Sequence, residues 1–300
     1  MDHHIESMIQ ADEMETLLSF AQEHPTRVGD MLGNYRSALA QWEERDPDRI
    51  RKLLTLTWNR LDMGTRRRFI HLMLRMIYRV SKSAVSHTGQ QTGDVDIAPF
   101  NFQGDEIALD QTLERLTGAS ALSYENIMIL DRKRRKRAAV LMIDASGSMQ
   151  GENLSMAAAG AASLAVNLDY RDEYSIVLFS EKAHVLKRMD QSLHLDSVLC
   201  NVLDILPEGR TNIALGLDIG LAEMQRSRVE QRLGILLTDG RQNVGSDPVP
   251  LAGRFPRLHV IGLPSGNREF AARIAKAGRG RYIALKEMSD VPGAVSACLE

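Results

Sequence analysis

The chain has 300 residues, 44% of them hydrophobic, and its 37 Lys or Arg against 39 Asp or Glu leave a formal net charge of −2. That composition supplies a sizeable core, with two domains the natural expectation at this length, and the even charge balance excludes a whole-chain nucleic-acid binder or an acidic-tail protein. Cys200 and Cys298 lack metal-ligand spacing and fit a reducing compartment; the N-terminal MDHHIESMIQ has no basic or apolar leader and no window reaches about 18 uninterrupted apolar residues, so a soluble cytoplasmic protein without membrane contact is expected.

Residues 1–83 read as a helical domain, because apolar residues such as Met8, Ile9, Met14, Leu17 and Leu18 recur at helical spacing and no strand pattern interrupts them. Four helices are expected. Pro25 should end the first and Thr26 cap the next, while Asp46 before Pro47 gives an N-cap followed by the residue best tolerated at the first helical position. The last helix, Thr65 to Ser83, puts Phe69, Leu72, Met73, Met76, Ile77 and Val80 on one face, with Arg66, Arg67, Arg75 and Arg79 largely elsewhere as a solvated rim. Trp42 and Trp58 read as core, and His71 as a satisfied core or boundary histidine.

Residues 84–131 read as a linker and connecting helix. The piece HTGQQTGDVD is rich in Gly, Gln and Thr, and GDEIALDQTLERLTG follows with Ile107, Leu109, Leu113 and Leu116 spaced to pack against the next domain. The six basic residues Arg132 to Arg137 lack interleaved aromatics and read as a solvated lead-in, so nucleic acid is not an expected partner.

Residues 132–300 alternate strand and helix patterns, which implies an α/β fold: a doubly wound, mostly parallel sheet preceded by the all-α N-terminal domain. Strands are expected near 138–143, 174–179, 233–237, 258–263 and 281–285, with 184–187 as an antiparallel edge. Helices are expected near 153–168, 193–206, 213–225, 268–277 and 289–299. The small residues of MAAAGAASLA suit close approach of the first of these to the sheet.

The first strand runs into AAVLMIDASGSM, where an apolar run stops at Asp144 and oxygen-bearing side chains alternate at Asp144, Ser146 and Ser148, with Gly147 free to curl the loop. Oxygen donors of this kind suit a hard cation such as magnesium. Of two later loops, EGRTNIALG puts Thr211 just before a helix and LLTDGRQN puts Asp239 at the carboxyl end of an apolar strand; ligands in open parallel sheets sit outside such ends, where Asp144 and Asp239 both belong, so three segments offer oxygens to one crevice. No GxxxxGKS or GxxxxGKT loop occurs, so ATP hydrolysis by this chain is not expected.

The set DASGSM, GRTN and TDG, each in its strand, loop and helix context, resembles the von Willebrand factor A domain with its metal-ion-dependent adhesion site, over roughly residues 137–300. The resemblance implies that Ser146 and Ser148 ligate Mg2+ or Mn2+ directly, Thr211 in the ligand-bound form, and Asp144 and Asp239 mainly through water. The basic run, the ALDQTLERL segment and the TDGRQN loop look like intracellular bacterial and archaeal members, among them the D subunit of magnesium chelatase and carbon-monoxide-dehydrogenase accessory proteins. Those work beside AAA+ ATPases of the MoxR type. The implied function is a metal-dependent, chaperone-like protein-binding adaptor or substrate-presenting partner of such an ATPase, not an enzyme, with an Asp or Glu of the ATPase or client completing the metal site. The alternative is a magnesium-dependent phosphotransferase or phosphatase using Asp144. Such enzymes resemble a DxD start, and Ser146 stands where the second carboxylate would shuttle the proton.

Overall fold

The computed structural model describes residues 2–85, 95–99, 107–117, 126–132, 136–149, 152–168, 172–191, 193–205, 207–264 and 266–300. They form two compact units, one of Met1–Ala84 with Arg137–Glu300 and one of Val85–Lys136. Residues 86–94, which hold most of the Gly- and Gln-rich linker candidate, and 133–135 of the basic run lie outside the described residues.

The first unit begins with six helices, α1 Asp2–Gln10, α2 Met14–Glu23, α3 Pro25–Leu32, α4 Arg36–Arg45, α5 Pro47–Thr57 and α6 Met63–Val85, where four were expected. Asp12, at φ 61°, breaks the first stretch in two, and its carboxylate accepts hydrogen bonds from Trp42 Nε1 and Arg45. A helix does end just before Pro25, since α2 stops at Glu23 with His24 as its C-cap, but Pro25 also starts α3 at the first position, where its missing N–H costs nothing, and Thr26 lies inside that helix instead of capping it. Asp46 caps α5 as expected, accepting the Arg49 N–H at 3.1 Å with Pro47 next. Trp42 and Trp58 are buried, whereas His71 is exposed and not part of the core.

The second unit holds a pair that the sequence pattern did not reveal, β1 Val95–Pro99 antiparallel to β2 Met128–Arg132. Helix α7, Leu109–Leu116, is the expected connecting helix, and it is tied to β2 by Thr112, whose Oγ1 accepts the Met128 N–H at 2.9 Å. Ile107, Leu109 and Leu113 are exposed.

The rest of the first unit runs through β3 Arg137–Asp144, α8 Glu152–Asn167, β4 Glu173–Phe179, β5 Ala183–Lys187, α9 Leu195–Leu203, α10 Ile213–Gln225, β6 Gln231–Thr238, α11 Val249–Ala252, β7 Leu258–Gly262, α12 Arg268–Ala277, β8 Arg279–Ala284 and α13 Asp290–Leu299. The sheet order is β5-β4-β3-β6-β7-β8, parallel throughout except for the edge strand β5, which runs antiparallel to β4. Because strand side chains alternate, Leu141, Ile143, Ile176, Leu178, Ile235 and Leu237 join α8, α9 and α13 on one face, while Val140, Met142, Val177, Phe179, Leu236 and Val260 join α10 and α12 on the other. Burial on both faces explains why β3 reads as a continuous apolar run.

The helices α1 to α6 share the first of these two cores. The seam is also polar: Thr55 Oγ1 and Ser155 Oγ lie 2.6 Å apart, Trp58 Nε1 donates to Asp204 at 2.9 Å, and Lys52 Nζ lies 3.0 Å from Glu152 in the first turn of α8. No helix among the described residues is long and apolar enough to cross a membrane.

Candidate metal centre

The central strands β3 and β6 are parallel neighbours, so the residues at their carboxyl ends open onto the same edge of the sheet. Asp144 closes β3 and Asp239 directly follows β6, and both are buried, with 1% and 5% of their surfaces exposed. Asp144 Oδ1 accepts the Ser146 N–H at 3.0 Å, which folds the loop back after the strand. Its Oδ2 accepts the Thr238 hydroxyl at 2.7 Å. Thr238 Oγ1 in turn accepts the Gly240 N–H at 3.0 Å, and Asp239 Oδ1 accepts the Arg241 N–H at 2.9 Å.

A 3-10 turn over Gly147–Met149 then brings Ser146 Oγ and Ser148 Oγ within 3.2 Å of each other. The loop between α9 and α10 is bonded to this turn, with Gly147 N–H donating to Gly209 O at 3.2 Å and Glu208 N–H to Ala145 O at 3.3 Å. Thr211, 2% exposed, lies two residues beyond Gly209, and its N–H donates to Asn243 Oδ1 at 2.8 Å. Asn243 belongs to the loop that begins with Asp239. Hydrogen bonds therefore close a ring: the Asp144 loop to the Thr211 loop, that loop to Asn243, and back through Thr238 to Asp144.

The ring gathers the loops that carry all five sequence-predicted site residues, Asp144, Ser146, Ser148, Thr211 and Asp239. Two participants were not anticipated. Thr238 is a fully buried polar residue ending an apolar strand, a mismatch visible in the sequence. Asn243 carried no such signal, since a polar residue in a polar loop is ordinary and only the contact with Thr211 singles it out.

Burial pushes the Asp144 carboxyl above the usual carboxylate range and the charge of Asp239 adds to this, while hydrogen bonds from Ser146 and Thr238 oppose it. Two buried carboxylates beside neutral hydroxyls lack a positive charge, and a divalent cation would supply it. The donors are all oxygen, the chemistry of magnesium and manganese. Among the described residues no group of three or more His, Cys, Asp or Glu could hold a metal, so this set depends on its hydroxyls.

The rim is charged. Arg210, next to Thr211, is exposed and donates through Nε to Glu181 Oε1 at 2.7 Å and through its backbone N–H to the same oxygen at 3.3 Å. These bonds hold the Glu181 carboxyl below its ordinary range. Arg241, two residues past Asp239, is also exposed.

Residues 139–242 match the family model described as von Willebrand factor type A domain. A magnesium-chelatase 67 kDa subunit from Chlorobaculum parvum is 34% identical over 151 residues, an alignment covering 47% of this chain and 24% of that relative's length. Among solved structures, an aerotolerance-related membrane protein from Bacteroides fragilis is similar at 18% identity and a TM-score of 0.47, covering 54% of this chain and 98% of that one. A von Willebrand factor type A protein from Catenulispora acidiphila is similar at 18% identity and a TM-score of 0.47, covering 55% and 42%.

Proposed function

We propose, taking residues 139–242 as a von Willebrand factor type A domain, that this protein is a non-catalytic, metal-dependent protein-binding module. Domains of this kind are commonly metal-dependent interaction modules. The observation that carries the reading is the closed ring of loops that brings two buried aspartates together with Ser146, Ser148 and Thr211 at the carboxyl ends of β3 and β6. Ser146, Ser148 and Thr211 offer hydroxyl oxygens to Mg2+ or Mn2+, and Asp144 and Asp239 hold it through water. The cation, when bound, supplies a positive docking point for a partner's Asp or Glu.

The protein's own residues favour such a partner, because neutral hydroxyls leave most of the cation's charge unspent and so favour an acidic group at the site. The similarity to a magnesium-chelatase subunit supports work within a larger assembly. The motif resemblance extends this to an adaptor or substrate-presenting role beside a MoxR-type AAA+ ATPase, in the cytoplasm. The test is a pull-down with a candidate ATPase or its client in magnesium and in EDTA, using the wild type and Ser146→Ala. Recovery should fall at least tenfold on chelation, return when magnesium is restored, and stay low with Ser146→Ala. Equal recovery under all conditions would overturn the metal-dependent reading.

A further inference from the structure

Thr211 lies between two regular stretches and belongs to neither. Helix α10 begins at Ile213, so the backbone groups of Thr211 are outside the helical ladder and must find partners elsewhere. One loop supplies them. Asn243 Oδ1 accepts the Thr211 N–H at 2.8 Å, and the N–H groups of Asn243 and Val244 both donate to Thr211 O, at 3.2 and 3.3 Å. The next residue but one, Gly245, has φ +88° and a Cβ there would lie 2.1 Å from Asn212 Oδ1, so the loop can close this tightly only with glycine at that position. The same loop starts at Asp239, whose carboxylate it fixes through the Arg241 N–H. Asp239 and Thr211 come from distant parts of the chain, and Asn243 is the side chain that locks one to the other.

We propose that Asn243 is a positioning residue of the metal centre: it pins the backbone of Thr211 to the Asp239 loop, so that the Thr211 hydroxyl is presented to the cation in a prearranged place. Asn243 does not itself hold the ion. The proposal rests on the metal-binding reading of the site and adds to it a side chain that helps to place Thr211. The physical reason is prearrangement: a hydroxyl already fixed in place loses little freedom on binding, and partners one shell removed from a metal typically govern about ten- to a hundredfold in affinity.

The experiment uses the full chain and Mn2+ alone as probe, with the dissociation constant measured by electron paramagnetic resonance or calorimetry and the melting temperature recorded in EDTA. Asn243→Ala should weaken Mn2+ binding about tenfold, whereas Asn243→Asp, which keeps the Oδ1 acceptor, should bind at least as tightly as the wild type. Thr211→Ala should weaken binding by a similar factor, and adding Asn243→Ala to it should cost nothing more, because the pin then holds no ligand. If Asn243→Ala does not fold, Asn243→Ser, one bond shorter than needed to reach the Thr211 amide, is read in the same way. Failure of the wild type to bind Mn2+ would overturn the metal reading and this inference with it. Normal wild-type binding with an unchanged affinity in Asn243→Ala, even at a lower melting temperature, would overturn the inference alone. So would an equal loss from Asn243→Ala in the presence and absence of the Thr211 hydroxyl.

Discussion

His259, the second residue of β7, is 2% exposed, and burial together with the charges of Arg257 and Arg281 pushes its pKa down to about 4. Its Nδ1 accepts the Arg281 N–H at 3.2 Å, so the proton sits on Nε2, which has no hydrogen-bond partner among the described residues. The unfolded chain takes up a proton near pH 6.5 while the folded chain resists until about pH 4. Its contribution to stability is therefore complete above pH 6.5 and is lost as the pH falls through this window, by up to about 2 kcal/mol between pH 7 and 5. Asp144 has the opposite sign: a carboxyl raised by burial makes the folded, metal-free protein bind protons more readily than the unfolded chain, so this contribution grows on acidification at lower pH. Urea denaturation at pH 7 and pH 5 should show the loss in the wild type and a flatter profile in His259→Leu. Equal slopes would mean that the histidine does not govern acid sensitivity in this range.

At the scale of elements, α10 is the helix on which the Thr211 loop is mounted, and it approaches the sheet through glycines one turn apart. A Cβ at Gly216 would lie 2.5 Å from the ring of Phe179, and one at Gly220 would lie 2.3 Å from Met142 Sδ. The helix sits this close to β3 and β4 without side chains at these two positions, and at Gly216 the neighbour is a rigid buried ring. Gly216→Val should destabilise the protein by about 2–3 kcal/mol. Because α10 begins two residues after Thr211, the displaced helix should carry that residue away from the ring. Chemical denaturation measures the first effect and Mn2+ affinity the second. A variant with unchanged stability would contradict this packing.

For the whole molecule, residues 1–84 and 137–300 belong to one compact unit although 52 intervening residues, Val85–Lys136, form the other. The two pieces of the first unit are joined by a shared core and by the polar seam of Thr55 with Ser155, Trp58 with Asp204 and Lys52 with Glu152. Limited proteolysis is expected to cut first between residues 85 and 136. The fragments should separate on a denaturing gel yet elute together from a sizing column, with Mn2+ binding retained. Initial cleavage within α8, or separation of the two pieces under native conditions, would be inconsistent with this organisation.

The sequence by itself determined the α/β alternation, the boundaries of most strands to within two residues and the Asp46 cap, and it singled out five oxygen-bearing residues, because each is written in local pattern. A buried parallel strand is a continuous apolar run, an N-cap is a short acid before a proline, and an oxygen cluster after a strand end stands out against its apolar approach. The break at Asp12, the role of Pro25 as a helix start and the pairing of β1 with β2 were not legible, since a left-handed residue, a proline at either side of a helix boundary and a two-strand pairing across 28 residues leave no distinct local pattern. Only the tertiary structure decided that the first 84 residues share a core with the sheet, and that Thr238 and Asn243 complete the ring. Those contacts join Thr55 to Ser155, Thr238 to Asp144 and Asn243 to Thr211 across long stretches of chain, and the pairing of distant polar groups follows from how the layers pack, not from the neighbours each residue has in sequence.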